Sequence, residues 1–201
     1  LTFNAGRLVK INSLVLGSGT PNTYVNIEPP FPIKNYFNES VWLIEDAGWY
    51  IDFPSSAEKV EWFLDKEFDI SVDGVVAVNT KGLEELLAVV GKVDLFLEPK
   101  NFEDDFEDLT KLLSQKNQDT KIKMIYKIVE LLKRRDFLVF IHDNEVNDVI
   151  SEFGWDGSFS DIKCQDCNLD TVSLVESSVS SGSQNIVREL DVSIFLEEEL
   201  I

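Results

Sequence analysis

A glycine-rich turn is the first place along the chain where residue types and spacing suggest chemistry. Residues 8–16 have the pattern of a buried strand, and the turn Gly17-Ser18-Gly19-Thr20 follows directly. A phosphate-binding loop would carry a Lys at its end for the phosphate charge, then a Ser or Thr for magnesium. This chain has Pro21 and Asn22 there instead. The four turn residues are therefore candidate nucleotide-binding residues in a loop that lacks the main phosphate ligands.

Two cysteines, Cys164 and Cys167, have the spacing of a redox pair or of half a zinc site. A redox pair is expected at the start of a helix, where the positive helix end lowers the thiol pKa. The residues that follow, 168–170, indicate a turn and then a strand instead. A zinc site needs two further ligands, and His142 offers only one. A metal role, a redox role and a chance spacing are the alternatives for this pair.

The single histidine, His142, follows an apolar run at 137–141 and precedes Asp143. Because α/β folds place ligands at the carboxyl ends of strands, His142 is a candidate general base. No nucleophile motif such as Gly-x-Ser-x-Gly accompanies it. A structural role is therefore the simpler interpretation, and we expect no catalytic residue and no bound cofactor.

The C-terminal residues 185–201 combine bulky apolar side chains with acids. The stretch 176–184 before them is rich in serine and reads as a flexible linker or as the mark of a missing loop. The segment then ends in Ile194-Phe195-Leu196, three glutamates and Leu200. This pattern is typical of a peptide that docks on another protein, so Ile194, Phe195, Leu196 and Leu200 are predicted partner-binding residues.

The composition narrows the class of partner. Against 18 basic residues the chain has 37 acidic ones, a net charge of −19. Such a charge disfavours phosphate backbones and anionic membrane surfaces, so we expect protein partners, including ones with a basic surface, and neither nucleic acid nor membrane insertion. Two cysteines are too few for a disulfide framework, which favours a reducing compartment, and we expect a cytoplasmic protein, with the nucleus as an alternative.

Apolar periodicity predicts an alternation of strands and helices. The predicted strands are 8–16, a hairpin of 41–45 and 49–53, then 72–78, 93–97 and 137–141. The predicted helices are 56–67, 83–90, 102–113, 122–132 and 146–153. Such alternation is typical of an α/β fold with a mostly parallel sheet covered by helices on both faces, in three layers. We expect one domain over 1–175, the linker 176–184 and the terminal segment 185–201.

This order of elements resembles that of small Ras-like GTPases. The run Asp73–Val78 looks like one of their strands, and residues 51–55 and 93–101 stand where that family has Asp-x-x-Gly and Asn-Lys-x-Asp. Each motif is degraded here, so no nucleotide ligand carries over from the family. The resemblance implies a pseudo-GTPase whose fold serves binding. One such group is the alpha- and gamma-adaptin-binding protein family of adaptor assembly factors.

A second resemblance competes with the first. Residues 40–52, 57–64 and 72–79 are also similar to the start of a metallo-β-lactamase fold, but the sequence 79–82 lacks that family's His-x-His-x-Asp-His cluster. The leading hypothesis is a non-enzymatic protein-interaction module or assembly factor with a GTPase-like core, acting in vesicle or adaptor trafficking. The alternatives are a dead metallo-β-lactamase-like subunit of a complex and an atypical nucleotide-binding enzyme.

Overall fold

The computed structural model describes residues 1–5, 7–12, 27–36, 39–92 and 102–158. Its strands and α-helices are β1 Thr2–Asn4, β2 Arg7–Lys10, α1 Phe31–Tyr36, α2 Phe53–Phe68, β3 Gly74–Val78, α3 Thr80–Ala88, α4 Phe102–Gln115, α5 Gln118–Lys133, β4 Phe137–Ile141 and α6 Asn144–Glu152. A 3-10 helix spans Ile44–Trp49.

The predicted three-layer, mostly parallel sheet is wrong for the part of the chain described. Its strands form two separate antiparallel pairs, β1 with β2 and β3 with β4. In the second pair Gly74 lies opposite Ile141 and Val78 lies opposite Phe137. Apolar runs reveal a strand but not its direction, and β4 follows β3 only after three intervening helices. The GTPase-like order of elements was expected from the positions of the strands along the sequence. In the folded chain the described strands form antiparallel pairs instead of one parallel sheet.

The strand β3 also differs from its predicted surroundings. We expected a strand buried on both faces, yet Val76 and Val78 are exposed, Val76 by 60%. Antiparallel sheets often leave one face open to solvent, whereas parallel sheets are covered on both. The β-branched run of this segment therefore reflects strand propensity more than burial.

The predicted hairpin over 41–53 is wrong as well. A 3-10 helix occupies Ile44–Trp49, and α2 begins at Phe53. Pro54 suits the first turn of a helix, where its missing N–H costs nothing. The Asp52 carboxylate caps this helix by accepting a hydrogen bond from the Ser55 N–H at 2.9 Å. With the Asp52 cap and Pro54 in its first turn, the helix begins at Phe53 rather than at residue 56, and so takes the end of the second predicted strand, 49–53.

The remaining helices and the strand over 137–141 are confirmed. Helices α3, α4, α5 and α6 lie where the periodicity put them, and Gly91 and Gly154, predicted to stop α3 and α6, both have positive φ. Two apolar clusters hold the elements together. One surrounds Phe63 of α2 with Ile33, Trp42 and Ala47. The other joins α3, α4 and α5 to β4 and contains Leu87, Leu109, Leu131 and Phe137.

A buried carboxylate fixes the turn that follows α6. Asp156 is only 2% exposed and accepts hydrogen bonds from the Ser151 hydroxyl at 2.6 Å and from the Ser158 N–H and hydroxyl at 3.0 and 2.9 Å. Burial alone would raise the pKa of Asp156, but these hydrogen bonds outweigh it and lower the pKa below 3.8. The turn brings the Trp155 carbonyl against β4, where it accepts from the Val139 N–H. The Asp156 carboxylate therefore holds α6 to the edge of β4.

We expect Asp156→Asn to lower the free energy of unfolding at pH 7 by about 1–3 kcal/mol, because an amide turns an NH₂ towards groups that donate. A lowered folded-state pKa contributes stability above the unfolded-state pKa and loses it as the pH falls through the folded-state value. The difference between wild type and variant should therefore shrink below pH 3.8. Urea unfolding from pH 7 to pH 2.5 measures it, with Asp148→Asn on the exposed side of α6 as the control. A difference that does not change with pH would contradict this role.

Candidate binding surface on helix α5

Helix α5 carries two apolar stripes, and only one of them is in the core. Met124, Leu131 and Leu132 are buried in the cluster around β4, and Ile128 packs against it. A second set of apolar side chains recurs at the i, i+3, i+4, i+7 spacing of one helix face, and consists of Ile122, Ile125, Tyr126 and Val129. This second set, which we call the outer stripe, lies along the exposed side of the helix.

The apolar residues that predict this helix lie mostly outside the core. Of Ile122, Ile125, Val129 and Leu132, only Leu132 is buried. Ile122, Ile125 and Tyr126 are instead 41%, 61% and 73% exposed. Both stripes have helical spacing and similar side chains, so periodicity could not choose between them. Packing against Leu87 and Leu109 decides the matter, and these residues lie on two earlier helices, α3 and α4.

The outer stripe lies on the basic part of an acidic chain. Residues 118–135 contain six basic residues against the two acids Asp119 and Glu130, a local charge of +4 where the whole chain has −19. The six are Lys121, Lys123, Lys127, Lys133, Arg134 and Arg135. They are one third of the 18 basic residues of the protein. The outer stripe is thus apolar, exposed and locally cationic at once.

Two of these cations are used within the fold. The Arg134 guanidinium donates to both oxygens of Glu85 on α3, at 2.8 and 3.0 Å, and pairs with Asp136 as well. Lys127 pairs with Glu130 at 2.8 Å and with Glu85 at 3.7 Å. The hydrogen bond from Arg134 is the largest cause of the lowered pKa of Glu85, followed by burial, which opposes it. This network ties α5 to α3 and fixes the rotation of α5 about its axis.

The other four cations lack such a partner. Among residues 1–5, 7–12, 27–36, 39–92 and 102–158, no carboxylate lies within 4.0 Å of Lys121, Lys123, Lys133 or Arg135. All four side chains are exposed. On a helical wheel Lys121 borders the outer stripe on one side, and Lys133 continues it at its C-terminal end. An anionic ligand on the stripe would therefore meet free positive charge.

His142, the candidate general base, has one close carboxylate partner. Its Nε2 lies 2.8 Å from Oε2 of Glu61 on α2, and the Glu61 side chain is only 13% exposed. The ring also packs edge-on against Phe140. The other oxygen of Glu61, Oε1, is buried without a hydrogen-bond partner. The pair joins the end of β4 to α2, which is a structural contact, and no nucleophile contacts the His142 ring among the described hydrogen bonds.

A groove beside Trp42 is a concave feature of the described surface. It has a volume of about 450 Å³ and is lined by Pro29, Pro30, Phe31 and Trp42 among others. The two charged groups at its wall, Glu28 and Lys34, form an ion pair with each other. The groove therefore offers apolar contact without a free charge, in contrast to the outer stripe.

The remaining predicted site residues lie outside the described part of the chain. These are Gly17, Ser18, Gly19 and Thr20 of the glycine turn, Cys164 and Cys167, and Ile194, Phe195, Leu196 and Leu200 of the terminal segment. Within the described residues, no group of three or more His, Cys, Asp or Glu side chains could hold a metal ion. In that same part, no helix is long and apolar enough to cross a lipid bilayer.

Comparison with known proteins places the chain in a family. The family model described as Protein of unknown function (DUF4012) matches residues 1–116, more than half of the 201 residues, so the chain belongs to this family. No curated protein and no solved structure matches the chain. The matched range ends at the C-terminal end of α4, so the outer stripe follows it immediately in the sequence.

The two stripes predict opposite outcomes for truncation on the same helix. Leu131→Ala should lower the free energy of unfolding by about 2–5 kcal/mol, because it leaves a cavity in the core. Ile125→Ala should change it by less than about 0.5 kcal/mol, because its side chain already meets water. Urea unfolding of both variants measures the contrast, with Ile122→Ala as a second test of the outer stripe. Equal costs for Leu131→Ala and Ile125→Ala would contradict the assigned rotation of α5.

Proposed function

We propose that this DUF4012 protein is a protein-interaction module that binds an acidic, apolar peptide segment on the outer stripe of α5. The observation that carries the proposal is the coincidence of Ile122, Ile125 and Tyr126 on one exposed helix face with Lys133 on that face and Lys121 at its border. Neither lysine pairs with a carboxylate of the described residues. Single exposed apolar residues are ordinary, but several on one face mark an interaction surface. The non-enzymatic character expected from the sequence is part of this proposal.

The chemistry of the surface indicates the chemistry of its ligand. Tyr126 can bury its ring while its hydroxyl remains hydrogen-bonded, which is why tyrosine is frequent among residues that dominate binding energy. Ile122, Ile125 and Val129 add apolar area, at about 25 cal/mol per Å² removed from water. A ligand that fits has two or three bulky apolar side chains that span the stripe, whose length from Ile122 to Lys133 is about 17 Å at the helical rise.

Charge selects among such ligands. Carboxylates beside the apolar contacts would lie near Lys121 and Lys133, and the favourable potential speeds association and rejects basic segments. A nucleic acid or an anionic membrane is disfavoured, because the whole chain at −19 repels a large polyanion more than a short basic helix attracts it. A short acidic peptide escapes most of that repulsion, because exposed charges farther away than about 8–10 Å are screened by salt.

A panel of designed peptides, unrelated in sequence to this chain, tests the proposal. Each peptide has Ile, Phe and Leu at fixed positions and either Glu, Gln or Lys between them. We expect binding in the order Glu, Gln, Lys, and weaker binding of the Glu peptide at higher salt. Fluorescence anisotropy with the full chain measures the dissociation constants.

The double variant Ile125→Ser with Tyr126→Ser should weaken binding of the Glu peptide by at least about tenfold, since residues central to a contact each contribute of that order. Val149→Ser, at an apolar and 49% exposed position on α6, is the control and should leave binding unchanged. If no Glu peptide binds, or if the double variant and the control behave alike, the proposed function is wrong.

A further inference from the structure

The chain itself contains a segment with the ligand chemistry just described. Residues 190–201 contain four acids, Asp191 and Glu197 to Glu199, and no basic residue. Their bulky apolar side chains include Ile194, Phe195, Leu196 and Leu200. The segment lies outside the described residues. The protein thus has both an acidic apolar segment and a basic apolar face.

We infer that the ligand of the outer stripe is the C-terminal segment of a second copy of this chain. The inference rests on the proposed function and names the partner for the same surface. Its first support is charge: the segment 190–201 has a charge of −4 from its side chains, and residues 118–135 have +4 before the pairing of Lys127 and Arg134 with Glu85 is counted. A partner with a basic surface, which the acidic composition favours, is therefore present on the protein itself.

Length supports the same match. The seven residues 194–200 span about 20 Å when extended, close to the 17 Å or so between Ile122 and Lys133 along the helix axis. Ile194, Phe195 and Leu196 can then contact Ile125 and Tyr126 while the three glutamates reach towards Lys133. If the peptide bound in the opposite chain direction, its glutamates would lie near Lys121 instead. Either way, each end of the outer stripe offers an unpaired cation.

Exposure of the stripe leaves it accessible to a segment of a second copy. Ile125 and Tyr126 are 61% and 73% exposed in the single chain, so the surface is open to a segment from outside. If the segment of one copy binds the α5 face of its partner, the partner's segment can bind the first copy in the same way. This reciprocal exchange forms a closed dimer with two identical contacts. Once one contact has formed, the second is intramolecular, which strengthens the dimer.

Sedimentation velocity of the full chain tests the inference. We expect the 22.9 kDa chain to double in mass with rising concentration, and the dimer to weaken at high salt. Two variants should each be monomeric over the same range: a face variant, Ile125→Ser with Tyr126→Ser, and a segment variant, Phe195→Ser with Leu196→Ser. Val149→Ser should dimerise like wild type, and circular dichroism should show that all four proteins are folded.

Mixing the two monomeric variants distinguishes the sources of the segment. The face variant keeps an intact segment and the segment variant keeps an intact face, so an equimolar mixture should form a dimer held by one contact. A dimer in the mixture that is absent from either variant alone supports exchange between copies. The inference would be wrong if neither the mixture nor wild type forms a dimer and a labelled 189–201 peptide binds the segment variant better than it binds wild type. These two results together would mean that each chain binds its own segment.

The outcome also separates this inference from the proposed function. If designed Glu peptides bind the full chain but the labelled 189–201 peptide does not bind the segment variant, the surface is a docking site for another protein and only the second-copy inference fails. If neither kind of peptide binds, both fail. Dimers that persist in the face variant would overturn the inference too, because the contact would then lie elsewhere.

Discussion

The packing of α5 against β4 is the contact on which the rest of the described structure depends. Leu131 is completely buried, and it lies in one cluster with Phe137 of β4, Leu87 of α3 and Leu109 of α4. A buried residue of this kind fixes the helix to within a fraction of a turn, because its neighbours are close-packed. Arg134 adds a polar constraint at the end of α5 through its two hydrogen bonds to Glu85. Together these contacts set which side of α5 faces water.

The exposed side of α5 follows from that constraint. With Met124 and Leu131 inside, the apolar residues about 100 to 180 degrees away around the helix must be outside. The fold thus leaves Ile122, Ile125 and Tyr126 exposed as a consequence of its own core, together with cations for which the described structure provides no carboxylate. Ile122, Ile125 and Tyr126 form an exposed apolar surface on one helix face, and the basic residues beside it favour an acidic partner. The acidic terminal segment then becomes the natural first candidate.

Much of the local structure follows from the sequence. The strand over Phe137–Ile141 and the helices α2 to α6 could be predicted, because apolar spacing, caps and stops all act within a few residues. What could not be predicted depends on distant contacts. The direction of β3 relative to β4 is set by a connection of three helices, and the core side of α5 is set by packing against Leu87 of α3 and Leu109 of α4. The prediction of a hairpin over 41–53 was wrong for a local reason, since Asp52 and Pro54 start a helix where two short apolar runs suggested strands.

The candidate site shows the same division. Its side chains could be found in the sequence, but their exposure could not be predicted, because an outer stripe and an inner stripe look alike in a helix with two apolar faces. The local excess of basic residues at 118–135 was the available signal, since a buried face does not need exposed lysines beside it. The glycine turn, the cysteine pair and the terminal segment, which the sequence suggested instead, lie outside the described residues.

The central claim is that the outer stripe of α5 is a docking surface for acidic, apolar segments. The most direct measurement is a titration of the isotope-labelled full chain with a designed Glu peptide, followed by amide and methyl NMR shifts. The account predicts the largest changes at Ile122, Ile125, Tyr126 and Val129, with small ones at Leu131. Changes centred on the groove of Phe31 and Trp42, or no saturable change anywhere, would contradict it.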